Sequence, residues 1–318
     1  MDSYVFKTSC GTTGFFQKEE NICRVYLEKK VWPINKSFQW NDWDEYRIGA
    51  YADNLPKTTL TEPISKAVSY FVWLTHSEIS PNIVELKVSA LPAGNYYKRI
   101  NRNSPGLYDL SRREHATIDE VRSFNNLVDS MNSIFNVVEP NTINNQAYGH
   151  KIRELLTIAC TEVEYLLLQI LKDNGYKSTR FNTNDYVKVL PVLKLNEFSV
   201  KLKMHPSMGN FSPFKSWDQN NPTQSLSWYS AYNNAKHDRG GNFHCATLEA
   251  TINAIAAVHI LLEAQYGSKL FDKPMYSDYE SCFQTTREPT WYCNEVFSPL
   301  IGENEKISWV SSVEYFEQ

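Results

Sequence analysis

Cysteines are few in this chain, and none of them forms a recognisable pair. The six lie far apart, without C-x-x-C spacing, at Cys10, Cys23, Cys160, Cys245, Cys282 and Cys293. Disulfide scaffolds and zinc ribbons place cysteines close together at fixed spacings. The sequence therefore predicts neither, and free cysteines indicate a reducing compartment.

Long apolar runs are also missing. The most apolar stretches, such as 254–262, are too short to span a bilayer. The first ten residues, MDSYVFKTSC, carry an acid at position 2 and lack the apolar core of a signal peptide. We therefore expect a cytoplasmic protein that does not bind membranes.

An excess of charge is absent too. The formal net charge is −4, which gives no global attraction to nucleic acid, so any such binding needs a local basic patch. The sequence contains no H-E-x-x-H, Walker A, G-x-G-x-x-G or G-x-S-x-G motif, and no His/Cys/Asp group with metal-ligand spacing. We therefore expect no metal and no cofactor.

The chain does contain many apolar residues, which make up 42% of it, and many aromatic residues, which make up 14%. A chain of 318 residues with that content suggests two folded domains. Residues 1–115 predict a mixed α/β domain, because β-prone runs at 23–27 and 83–88 flank a helical pattern over 62–76. The segment 93–113, rich in Gly, Asn, Pro and Arg, predicts the boundary.

Helical periodicity dominates after Thr117. A T-x-x-E capping box, Thr117 and Glu120, predicts the start of a helix that stops at Pro140. Three more helices are predicted from about 144 to 173, over 224–239 and over 247–265, and the long connection 176–224 predicts a lid or binding loop. The predicted fold class is α+β: an α/β domain over 1–115, a four-helix domain over 116–267, and an irregular C-terminal extension over 268–318 packed on the fold.

The densest polar cluster is YNNAKHDR at 232–239, on the third of these helices. Spacing of four residues puts Tyr229, Asn233 and His237 on one face. Tyr232, Lys236 and Arg239 occupy a neighbouring strip. An imidazole that exchanges protons near neutral pH, an amide that orients it and two cations that hold an anion suit phosphate chemistry.

A four-helix layout with a polar-x-x-Lys-His element before the last helix resembles the HEPN superfamily of prokaryotic RNases and nucleotide-binding domains. Their signature is an arginine, a polar residue, a few residues and a histidine. Asn233 matches the polar place and His237 the histidine, while Tyr232 stands where the arginine is expected. The resemblance covers roughly 117–267.

The resemblance implies a metal-independent endoribonuclease that acts as a homodimer with a composite cleft, in which RNA is cut by its own 2′-hydroxyl. His237, Asn233 and Arg239 would be catalytic, with Lys236 and Tyr232 holding the substrate. The family is frequent in bacterial anti-phage defence, and the N-terminal half would sense, regulate or recruit a protein partner. Because of Tyr232, the alternative is a non-catalytic, nucleotide-binding or dimerising adaptor.

Structural roles compete with these functional ones. Asn233 and His237 also suit a polar pair that fixes helix packing, and Lys236 with Arg239 a solvated helix end. Arg153, in the basic run HKIR that opens the second helix, is a further substrate-binding candidate, and His244 a candidate second imidazole.

Three other polar or aromatic features favour a structural role. His259, on an apolar face, is expected in the core. Glu162, with Arg153 or the third-helix cations as its partner, is expected in a salt bridge. The aromatics Phe211, Phe214, Trp217, Trp228 and Tyr229 are expected to form a core lid rather than a base-stacking platform.

Overall fold

The fold class is α+β, as predicted. The computed structural model describes residues 1–27, 34–49, 60, 63–75, 82–102, 115–268, 270–271, 281–302 and 306–316. The chain divides into two compact units: the sheet unit, residues 1–96, 102–108 and 291–313, and the helical unit, residues 97–101, 109–290 and 314–318. The chain therefore leaves and re-enters each unit, whereas the predicted boundaries divide it into consecutive segments.

A five-stranded antiparallel sheet forms the centre of the sheet unit, in the order β4-β3-β2-β1-β5. Its strands are β1 (Asp2–Thr8), β2 (Thr13–Glu19), β3 (Ile22–Leu27), β4 (Ile34–Gln39) and β5 (Ile83–Val88). The β-prone runs at 23–27 and 83–88 thus form strands, as predicted.

Both faces of this sheet are covered, which explains why its strands carry consecutive apolar residues rather than an alternation. Phe6 and Phe16 face a core that includes Phe71 of α2. Their neighbours Val5 and Phe15 point the opposite way, into a second core. The second core is completed by residues near the C-terminus, among them Cys293, Val296 and Ile301.

Two helices and several very short strands complete the sheet unit. The helices are α1 (Trp40–Ile48) and α2 (Pro63–Thr75), and α2 matches the helical pattern over 62–76. The short strands are β6 (Asn95–Tyr97), whose last residue is counted with the helical unit, β10 (Leu300–Ile301), β11 (Ile307–Ser308) and β12 (Ser311–Val313). The predicted C-terminal extension, residues 268–318, thus contains short strands where irregular structure was expected, and strands of two or three residues are too short to show a period of two.

The helical unit contains three long helices and several short elements. The helices are α3 (His115–Phe135), α4 (His150–Asp173), α5 (Thr183–Tyr186), α6 (Val189–Leu193), α7 (Ser227–His237), α8 (Arg239–Asn242) and α9 (Leu248–Tyr266). A small sheet of order β8-β7-β9 accompanies them, with β7 (Ser199–Leu202), β8 (Asn210–Phe211) and β9 (Phe283–Arg287).

Helix α9 is the core of this unit. It packs against α3, α4 and α7, and nearly every one of its side chains is buried. The predicted capping Thr247 at its start is confirmed, because the Thr247 side chain accepts a hydrogen bond from the Ala250 amide. A helix that is apolar all round is expected at the centre of a bundle.

The predicted capping box of α3 was wrong. Thr117 lies inside the helix, after His115 and Ala116, and the carboxylate of Glu120 is buried. Instead of capping α3, Glu120 accepts hydrogen bonds from Arg99 at 2.7 Å and from the Tyr266 hydroxyl at 2.6 Å. A distant arginine offers a stronger partner than a local amide, and sequence periodicity cannot show this.

Candidate functional site

Helix α7 carries the predicted cluster, and its buried face explains why it forms. Trp228, Tyr229, Tyr232 and Ala235 are buried, and the helix packs against α4 and α9. The Tyr229 hydroxyl bonds to Glu164 of α4, and Lys236 lies close enough to both Glu164 and Cys160 of α4 for their charges to interact. The buried face of α7 therefore packs against the strip of α4 that carries Cys160 and Glu164.

Tyr229, predicted on one helix face with Asn233 and His237, is buried, whereas Asn233 is half-buried and His237 is exposed. Its hydroxyl donates a hydrogen bond of 2.7 Å to the Glu164 carboxylate, and only 8% of its surface is exposed. Burial, followed by this hydrogen bond, raises the pKa of the Tyr229 hydroxyl well above its usual value. Tyr229 therefore joins α7 to α4 and is not free to contact a substrate.

Tyr232, at the place of the signature arginine, is buried but orients a cation. Its exposed fraction is 3%, and its hydroxyl accepts a hydrogen bond of 3.0 Å from the Lys236 ammonium. That hydrogen bond is the main reason why the pKa of Lys236 is raised. The Lys236 residue is exposed to solvent, so a fixed positive charge is presented at this end of the helix.

His237 is the last residue of α7, and it is exposed. Neither its imidazole nor the half-buried amide of Asn233 bonds to any residue that the structure describes. The alternative of a satisfied Asn233–His237 packing pair is therefore not what the geometry shows. A free imidazole lies next in sequence to a hydrogen-bonded cation.

The helix was expected to continue through Arg239, and this was wrong. Asp238 ends α7 and caps the short helix α8, with its carboxylate accepting a hydrogen bond of 3.0 Å from the Gly241 amide. An aspartate competes well for backbone donors, which favours a cap over a helix interior. Arg239 thus begins α8 and does not continue the strip of Tyr232 and Lys236; its side chain lies outside the described residues.

Arg153 lies near the start of α4, on the strip that carries Cys160 and Glu164. Its Nε is buried and has no hydrogen-bond partner among the described residues. A buried donor without a partner is uncommon and is often found where an anion or a water binds. Because this strip faces α7, the guanidinium is placed on the same side of α4 as Lys236.

The connection between α7 and α9 returns to the start of α4. The Phe243 ring contacts the rings of Tyr148 and His150, with centroids 5.8 and 4.8 Å apart. The next residue, His244, is exposed, and its Nε2 lies 3.7 Å from the Cys245 sulfur. The basic run HKIR and the segment after His237 are thus neighbours, which their separation in sequence does not reveal.

Other candidates lie elsewhere. Glu162 accepts a hydrogen bond from Ser123 at 3.0 Å rather than pairing with Arg153 or with the α7 cations, and burial raises its pKa. His259 is in the core, as predicted, with its Nδ1 2.9 Å from the Ser281 hydroxyl and its Nε2 3.3 Å from the Glu263 carboxylate.

The aromatic residues are in the core, as expected. All five expected members of the lid are buried: Phe211, Phe214, Trp217, Trp228 and Tyr229. The indoles of Trp217 and Trp228 donate to the carbonyls of Pro222 and Pro213. They are therefore unavailable for stacking on bases.

Sequence reasoning missed Glu164 and Phe243. Glu164 could not be recognised because Glu162 and Glu164, two residues apart on α4, bond to different neighbours, Ser123 and Tyr229. Phe243 was hidden because its ring contacts depend on the return of the chain to α4. Nothing in the local sequence marks either residue.

Within the described part of the chain, no three His, Cys, Asp or Glu residues are grouped so that they would hold a metal ion. None of the described helices has the length and apolar content needed to cross a membrane. No protein-family model matches the chain, and no curated protein or solved structure matches it either. The resemblance to the HEPN superfamily therefore stays a prediction.

Proposed function

We propose that the helical unit binds RNA at the end of α7 and cleaves it without a metal, as a HEPN-like endoribonuclease working as a homodimer. The observation that carries the proposal is the exposed, unbonded imidazole of His237, which follows directly in sequence on Lys236, whose ammonium Tyr232 orients. A proton-exchanging group next to a fixed cation is what phosphodiester cleavage requires.

In this reaction the RNA supplies its own nucleophile. The 2′-oxygen attacks the adjacent phosphorus as its proton passes to a base, and the bond from phosphorus to the 5′-oxygen breaks as that oxygen receives a proton. The products are a 2′,3′-cyclic phosphate and a 5′-hydroxyl. His237 serves as one of the proton-transferring groups, the free amide of Asn233 orients a substrate oxygen, and Lys236 stabilises charge on the phosphoryl oxygens, with Arg153 and Arg239 as further cations.

The test is cleavage of end-labelled RNA in EDTA by the native chain and by His237→Ala. We expect loss of at least about 100-fold in rate for the variant, with cyclic phosphate ends on the native products. Asn234→Ala is the matched control, because Asn234 is exposed on the same helix and makes no contact with the site. Equal rates for the native chain and His237→Ala would refute the proposal.

A second function is favoured by one observation: the place of the signature arginine holds the buried Tyr232. Without a guanidinium there, the same surface suits a non-catalytic subunit that binds a nucleotide or mediates dimerisation. In that case nucleotides should raise the melting temperature of the native chain by binding its folded state. His237→Ala and Lys236→Ala should reduce this rise, and RNA should remain uncut.

A further inference from the structure

An open groove of about 640 Å³ runs between the end of α3 and the start of α4. Its walls are mainly apolar, with Ile134 and Val137 on one side and Ile152, Leu155 and Ile158 on the other. Val137 is 86% exposed and Ile158 is 53% exposed. Apolar surface of this kind usually marks a contact with another macromolecule.

The chain carries a projecting group of matching chemistry at the end of the same groove. The segment that joins the groove residues Val138 and Tyr148 contains a 3₁₀ turn, Thr142–Gln146, in which Ile143 is 88% exposed. A groove and an apolar projection on one surface are the features that an isologous, two-fold contact needs, because each copy offers both.

The charges around the groove fit a second copy better than nucleic acid. Lys151 and Glu154 both line it, and they pair with each other at 3.1 Å. A rim with one cation and one anion complements itself across a two-fold axis, whereas a polyanion would need an excess of cations.

We infer that the groove docks a second copy of this chain, with Ile143 of each copy inserted between α3 and α4 of the other. The inference rests on the proposed function in one respect, since it supplies the homodimer which that function requires. Phe243, six residues after His237, contacts Tyr148 and His150, which both line the groove. A copy docked in the groove would therefore reach the connection after α7 at Tyr148 and His150, while Lys151, Leu155 and Ile158 lie on the side of α4 opposite to Arg153, Cys160 and Glu164.

Sedimentation equilibrium of the full chain tests the inference. We expect a mass of twice 36.8 kDa for the native chain in the micromolar range. Ile143→Asp and Ile158→Asp should raise the dissociation constant at least about tenfold, because each would place a carboxylate against apolar surface. The conservative variant Ile143→Leu should associate about as tightly as the native chain. Ile48→Asp is the matched control, since Ile48 is 81% exposed in the sheet unit and should leave the mass unchanged.

The variants should keep the circular dichroism spectrum and melting temperature of the native chain, because the altered side chains are largely exposed. A native chain that is monomeric throughout the micromolar range overturns the inference, as does an Ile143→Asp variant that associates as tightly as the native chain. A monomer that still cleaves RNA through His237 would overturn the dimer and leave the nuclease standing. A chain that dimerises through the groove but cuts RNA equally well after His237→Ala would refute the nuclease and leave the dimer standing.

Discussion

At the scale of single residues, one guanidinium joins three helices of the helical unit. Arg99 bonds to Glu120 of α3 and to Asp173 of α4, both at 2.7 Å, and to Gln265 and Tyr266 of α9, both at 2.9 Å. The side chains of Arg99 and Glu120 are 9% and 2% exposed. A buried ion pair whose remaining donors are also satisfied is costly to break from one side only.

Arg99→Met should therefore destabilise the helical unit by about 3–5 kcal/mol, since it leaves the buried Glu120 carboxylate without its cation. Urea unfolding followed by circular dichroism measures the change. Arg122→Met is the matched control, because Arg122 pairs with Asp119 on the exposed side of the same helix α3 and should change stability by less than about 1 kcal/mol. Equal effects of the two substitutions would contradict this account.

At the scale of elements, the hairpin β1–β2 depends on one glycine. Gly14 pairs with Phe6 across the two strands. A Cβ atom built on Gly14 would overlap the Phe6 ring, and that ring is fully buried. The ring occupies the space that a side chain at position 14 would need, so the glycine fixes how closely β1 and β2 pack.

Gly14→Ala should destabilise the sheet unit by about 1–3 kcal/mol through overpacking. Shortening the facing side chain should compensate: Gly14→Ala combined with Phe6→Leu should lose less stability than the two single substitutions add up to. The measurement is a double-variant cycle of unfolding free energies. Simple additivity would show that the contact between position 14 and the Phe6 ring is not the cause.

The individual helices and strands also show which structural features the sequence predicts. The helices α4 and α9 and the strand β5 were predictable, because burial of one face or of the whole element leaves a long or apolar pattern. The break between α7 and α8 was not, since it depends on whether Asp238 caps or continues a helix. Within the candidate site, the exposure of His237 and the engagement of Tyr229 by Glu164 depend on packing between α4 and α7. Periodicity places residues on a face but does not say which face is buried.

At the scale of the whole molecule, the free cysteines allow the opening of the two units to be measured separately. Cys23 and Cys293 are buried in the sheet unit, and burial raises the pKa of each thiol to about 12. Cys160 is buried in the helical unit, where burial raises its pKa well above the usual value. Cys282, also in the helical unit, has a pKa raised by burial to about 12.

Cys10 differs from these four. It is exposed, and hydrogen bonds from Thr12 and Thr8 lower its pKa. The thiolate is the reactive form, so a lowered pKa gives Cys10 a larger reactive fraction near neutral pH, whereas the raised values keep the buried thiols protonated.

Thiol labelling of the native chain at pH 7 should therefore show a fast phase that belongs to Cys10, and Cys10→Ser should remove it. As the pH rises, the rate of this phase should level off earlier than that of a free cysteine, because the Cys10 thiol ionises at a lower pH. In increasing urea, labelling of Cys23 and Cys293 follows opening of the sheet unit, and labelling of Cys160 and Cys282 follows opening of the helical unit. Fast labelling of Cys160 in the native chain would contradict the burial of the α4 face that faces α7, on which the candidate site depends.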